Sequence, residues 1–213
     1  MYKLYNVKGW GSMCGHFLLE EMAVPYTNIW MTAGQVRELS FRDLSPLGLI
    51  PCLGLPDGRT LFESGAIVAF LVSAHPETGM APPPGSHGFG EFLSWLHFMS
   101  TNLYVAINHA LGENPFNVSA AENASIVKGA ALKCDDLWAI LATRLSRGGP
   151  WLMGKDFSAL DIYMFMLTIW ARPSEAALHE KLPRIAQHAA AVRARPTLKA
   201  ALDSHGVLDI GGY

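Results

Sequence analysis

A chain of 213 residues, 50% hydrophobic and 16% charged, carries enough apolar side chains for one large domain or two small ones. That composition excludes a disordered polypeptide. Sixteen Lys and Arg against eighteen Asp and Glu give a net charge of −2, and no basic cluster exists to hold phosphates, so nucleic acid is not an expected partner.

The first residues mix strand and helix signals. "KLYNV" reads as a short strand, broken by Gly9 and Gly11. In "KGWGSMCGHFLLEEM" a helix starts at Met13, with Phe17, Leu18, Glu20, Glu21 and Met22 placing apolar and acidic groups on different faces. Pro25 stops it, and "YTNIWM" suits a second strand. A short polar helix around 35–43 precedes "SPLGLIPCLGL", and "PDG" at 56–58 makes a turn between two short strands. "ESGAIVAFLVSAH" then predicts a helix beginning near Ser64. Two strands joined by a helix, then a hairpin and a last helix, make a small α/β domain over residues 1–77.

Four prolines and three glycines fall within "PETGMAPPPGSHG", so the chain changes character there, with the linker at 78–87. Beyond it, residues 88–213 read as all-helical. "FGEFLSWLHFMSTNLYVAINHAL" has apolar residues at 92, 93, 95, 96, 99, 103 and 107, and a second long pattern runs from 119 to 146, ending at "RGGPW". In "FSALDIYMF", Ser158 and Asp161 have the spacing of a capping box, with Phe157 and Ile162 placed for a hydrophobic staple. The most apolar stretch, "IYMFMLTIWA", is about half the ~20 residues of a membrane span, so no membrane association is expected. Three widely spaced cysteines, no CxxC and no HExxH predict neither a disulfide framework nor a metal site, and free thiols suit the cytoplasm.

Taken together, "SPLGLIPCL", "DGRTLFESGAIVAFL", the proline linker and "FSALDIYMF" resemble the glutathione transferase family along essentially the whole chain. The resemblance implies a thioredoxin-like domain followed by a helical domain, a homodimer, and glutathione as co-substrate. Its most specific parts are Ile50–Pro51 and Glu63–Ser64. In the family this proline is cis, and the residue before it, here Ile50, pairs through its backbone with the cysteinyl part of glutathione. Glu63 and Ser64 open a helix, where amide donors and the positive dipole end attract anions. By the resemblance Ser64 meets the γ-glutamyl carboxylate and Glu63 its ammonium. Many members carry a basic or polar residue before the Ile–Pro pair for the glycyl end; here it is Leu49, which leaves Gln35, Arg37 or Arg42 as replacements.

A transferase of this kind needs no catalytic cysteine, because glutathione's thiol is the nucleophile. A hydroxyl donor near a helix N-terminus favours the thiolate. Ser12 stands where that donor is required, with Tyr5 and backbone amides as alternatives. The run "GWGSMCGHFLLEEM" is similar to the bacterial beta-class pattern, in which Ser12 and His16 match but the cysteine position is Gly11. Cys14 reads as a buried packing residue and His16 as a structural histidine. The acceptor, a small hydrophobic electrophile, would meet Trp95, His97, Tyr104 and Trp170 of the helical domain, as pockets for such ligands are mostly apolar. A glutathione-dependent isomerase or reductive enzyme, or a non-catalytic glutathione-binding protein, fits the same sequence.

Overall fold

Strand β1 (Tyr2–Asn6) occupies an inner position of a four-stranded sheet in the computed structural model, which describes residues 1–113 and 116–211. Its neighbour β2 (Tyr26–Trp30) runs parallel, with Tyr2 opposite Tyr26 and Asn6 opposite Trp30. Parallel neighbours need a crossover, and helix α1 (Met13–Glu21) supplies it. Gly15 lets α1 come close to the sheet, since a Cβ there would lie 3.2 Å from Leu4 Cδ1. After β2, α2 (Ala33–Arg37) and a 3₁₀ turn at Leu39–Asp43 bring Val36 and Phe41 onto Val7, Ile50 and Cys52. Strand β3 (Cys52–Gly54) pairs antiparallel with β1, and β4 (Thr60–Phe62) with β3, giving the order β2-β1-β3-β4. Helix α3 (Ser64–Ala74) packs beside α1, completing the thioredoxin-like arrangement.

The helical part begins with α4 (His87–His97), which passes through a π-helical turn at Phe98–Leu103 into α5 (Tyr104–Ala110). The sequence pattern shows one continuous helix there. A π turn adds a residue to the local register, which apolar spacing of this density does not reveal. Helix α6 (Ala120–Gly148) packs along α5 and starts with a reciprocal Ser119–Glu122 capping box. Helix α7 (Ala159–Ile169) is buried along its whole length, and its cap is the Ser158–Asp161 box that the sequence predicts. Asp161 also accepts the Leu152 amide at 2.8 Å and lies 2.9 Å from His188 Nε2, so this fully buried carboxylate ties together three segments. Helices α8 (Glu175–Lys181) and α9 (Pro183–Arg193) follow. No described helix is long and apolar enough to cross a membrane.

Contacts divide the chain into Gly90–Val192 and a unit made of Met1–Phe89 with Arg193–Tyr213. The last segment therefore returns to the thioredoxin-like unit, a joining that a linear division at the linker does not contain. Helix α10 (Lys199–His205) packs on α1. Beside it, the Arg195 guanidinium and the Thr197 hydroxyl both donate to the Glu21 carboxylate at the end of α1. Two ion-paired side chains so far apart in sequence leave no local pattern, which is why the return is invisible until the chain is folded.

Candidate functional site

The loop between β1 and α1 is shaped by its own polar groups. The Val7 amide donates to Ser12 Oγ at 3.1 Å, and the Ser12 hydroxyl donates back to the Val7 carbonyl at 3.3 Å. The amides of Trp10 and Met13 close two further turns onto Val7 and Trp10 carbonyls. Gly9 has φ of 74°, a left-handed conformation that suits a residue without a Cβ. Ser12 is fully buried at the threshold of α1, with its oxygen accepting a bond of ordinary length and its proton held in a long one.

The other candidates in this region have different surroundings. Cys14 is fully buried, donates to the Gly11 carbonyl, and has its thiol pushed up to about 12, mainly by desolvation. It is a packing residue with no usable thiolate. Tyr5 packs edge-on to Phe41, against the Val7–Val36–Ile50 cluster.

The Ile50–Pro51 peptide is cis, as the resemblance implies, and both residues are buried. Leu49 beside them is 57% exposed, with its amide donated to Ser45 Oγ. Gln35 is engaged in capping α2, where its Oε1 accepts the Thr32 amide and hydroxyl. Arg42 lies along Gly48, where a Cβ would come 4.0 Å from the arginine Nε, and Arg37 is exposed in the last turn of α2.

Glu63, like Ala23, is a non-glycine residue of this unit with a positive φ. It precedes α3 with φ 69° and ψ 116°, a conformation that costs a non-glycine residue about 1–3 kcal/mol. Its side chain is exposed, while Ser64, the first residue of the helix, is buried. Glu63 and Ser64 thus stand side by side in sequence at the donor end of an eleven-residue helix. That set matches a ligand group carrying both a negative and a positive charge.

In the helical unit, Tyr104 and Trp170 stand together with ring centroids 5.2 Å apart. Trp95 packs edge-on to Phe98, and the Arg144 guanidinium lies over its ring at 5.5 Å. His97 is exposed at the end of α4, its carbonyl taken by the Thr101 hydroxyl. A cavity of about 380 Å³ opens between α5 and α6, with Thr101, Val105, His109, Ile126 and Lys133 among its walls, and none of the four candidates lines it. Among the described residues no group of three or more His, Cys, Asp or Glu side chains is arranged to hold a metal.

Residues that the sequence does not single out also reach the loop. The Gly9 amide donates to His205 Nδ1 at 3.1 Å, and His205 Nε2 lies 2.9 Å from His16 Nδ1. Asn6 Nδ2 reaches His16 Nδ1 at 3.2 Å and donates to Asn28 Oδ1 at 3.1 Å. A lone histidine near the end of a helical stretch carries no signal of such a partner.

Comparison with known proteins matches two family domains, one in each half of the chain. The family described as "Glutathione S-transferase, N-terminal domain" matches residues 15–74, and "Glutathione S-transferase, C-terminal domain" matches residues 121–205. Glutathione S-transferase GstA of Escherichia coli O157:H7 is 24% identical over 209 residues, covering 96% of this chain and 99% of the relative. The structure of a glutathione transferase from Methylococcus capsulatus str. Bath is similar with a TM-score of 0.82 and 30% identity, over 97% of this chain and 100% of that one. A sphingomonad glutathione S-transferase, solved in complex with glutathione, is 25% identical with a TM-score of 0.81, over 96% and 99% of the two chains.

Proposed function

Because the chain belongs to the glutathione S-transferase family, we propose that it conjugates the thiolate of glutathione to small hydrophobic electrophiles. The observation that carries this reading is the strained backbone of Glu63 immediately before the buried Ser64 and the amide end of α3. Strain of this kind is retained where surrounding structure and function require it. In our reading the γ-glutamyl carboxylate takes the Ser64 hydroxyl and helix amides, and Glu63 takes the ammonium. Ile50, beside Pro51, pairs with the cysteinyl backbone. A family relative of similar size, solved in complex with glutathione, supports the choice of ligand.

Ser12 is fully buried, so in this reading the loop shifts on binding to bring its hydroxyl to the thiol. A hydroxyl bond to carbonyl oxygen is commonest near 2.7–2.8 Å, so the 3.3 Å contact to Val7 leaves the Ser12 proton weakly held. A thiolate offers a charge-assisted bond, roughly twice as strong as a neutral one, and takes that proton's direction from Val7. The thiol proton leaves to solvent, the sulfur pair forms the bond to carbon, and the leaving group departs with its own electron pair. Trp95, His97, Tyr104 and Trp170 are our candidates for contact with the electrophile, and the active form is a homodimer.

Calorimetry with glutathione and turnover with an aryl halide test this on wild type and Ser12→Ala. We expect binding by both, and for the variant a roughly 10–100-fold loss in kcat/KM near neutral pH, equivalent to about 1.4–2.7 kcal/mol. Absence of glutathione binding to wild type sinks the reading. Binding with isomerised or reduced product and no adduct would move the protein to the isomerase or reductive class, and binding with no turnover to a non-catalytic glutathione-binding protein.

A further inference from the structure

We propose that His205, from the last helix of the chain, is a positioning residue that holds the Gly9–Ser12 loop in the shape needed by the thiolate. The inference rests on the reading of that loop as the thiolate site. It starts from a group whose proton is not in question. A backbone amide only donates, so the Gly9 contact at 3.1 Å requires a lone pair on His205 Nδ1. The proton of the neutral ring is then on Nε2, which donates to His16 Nδ1 at 2.9 Å. His16 in turn carries its proton on Nε2, on the side of Glu20, whose Oε1 lies 3.9 Å away. One tautomer of each ring follows from a single backbone amide.

The surroundings keep both rings in that state. His205 and His16 are buried, with Phe17 and Trp30 against the His205 ring at 5.6 and 5.1 Å. Burial lowers His16 to about 4, opposed in part by Glu20. His205 falls to about 3 through burial, the neighbouring His16 and Lys8. The ionisable groups facing the pair are thus Lys8 on the loop, Glu20 on α1 and Tyr26 on β2, whose hydroxyl is donated to Glu20 at 2.5 Å. A cation on His205 would have to give up the acceptor that Gly9 uses.

The position of the pair gives it a consequence for chemistry. Gly9 lies three residues from Ser12, and the Val7 carbonyl and amide that engage Ser12 are two residues before it. Releasing the Gly9 amide loosens the short arc from Val7 to Ser12. The Ser12 hydroxyl then loses its fixed direction. His16 fixes the ring of His205 from the opposite side, and α10 carries His205 to the loop.

Two substitutions separate the two nitrogens. In His205→Asn the amide oxygen can replace Nδ1 as acceptor for Gly9. In His205→Gln the amide nitrogen replaces Nε2 as donor to His16 and removes the Nδ1 acceptor that the Gly9 amide uses. Hydrogen exchange of the Gly9 amide reads the hold on the loop without any ligand, and the ultraviolet absorbance of bound glutathione against pH reads its thiol pKa. We expect His205→Leu and His205→Gln to lose at least 10-fold of Gly9 protection and to raise the bound thiol pKa by about one unit, with the KM for the electrophile unchanged. His205→Asn should recover most of both. Wild-type protection in His205→Gln, or equal behaviour of Asn and Gln, would overturn the proposal. If wild type binds no glutathione, the thiolate role falls with the functional reading, while Gly9 exchange still decides whether His205 holds the loop.

Discussion

Glu63 is the residue at which stability and function pull apart. Its φ of 69° is one that glycine adopts without penalty, so Glu63→Gly should unfold at an equal or higher urea concentration, gaining up to about 1 kcal/mol. The same substitution removes the carboxylate we place on the ligand ammonium, so glutathione affinity should fall about tenfold or more by calorimetry. A variant that is no less stable but binds as well as wild type would remove Glu63 from the site. Ser12 is the opposite case. Its type and place before a helix are visible in the sequence, but its reciprocal bonds with Val7 depend on how Gly9 turns the loop. Cys14, so conspicuous in the sequence, is sealed in the core because α1 is buried on all sides from Met13 to Leu19.

Elements differ in how far their own sequence specifies them. The start of α7 is written in "FSALD", and the structure adds partners that no local pattern contains: the Leu152 amide and His188. Asp161→Ala should therefore cost more than an ordinary cap, about 3–5 kcal/mol, because it leaves a buried amide and a buried imidazole unpaired. Chemical denaturation checks this, and a loss near 1 kcal/mol would mean capping alone. Gly149 predicts a second effect in the same unit. It sits at φ 141°, and a Cβ would come 2.6 Å from the Gly154 carbonyl oxygen. Gly149→Ala must shift backbone after α6, and a drop in midpoint temperature of several degrees is expected. The π turn between α4 and α5 is the element least legible in sequence, since helical spacing continues through it.

Across the whole molecule, the paired histidines set an acid limit to stability. Both have folded pKa values below the unfolded value of about 6.5, so the unfolded chain binds protons first as pH falls. Their contribution is complete above that value and is lost progressively from about pH 6.5 towards 3. The urea midpoint should fall over that range in wild type and fall less in His205→Gln; equal slopes would exclude the pair as the cause. Arg195→Met should also destabilise, by about 1–3 kcal/mol, since it removes donors from the nearly buried Glu21 carboxylate. These last two contacts belong to the C-terminal return. The sequence by itself determined the order of strands and helices, the proline-rich change of character, the α7 cap and the paired dipeptides Ile50–Pro51 and Glu63–Ser64. All of these are local, carried by spacing, turn residues and caps within a few positions. Only the tertiary structure decided that α10 closes on α1, that His205 meets Gly9 and His16, and that Arg195 meets Glu21. Those pairs are separated by more than 170 residues, and nothing but the folded chain brings their hydrogen-bonding groups within 3 Å or so of one another.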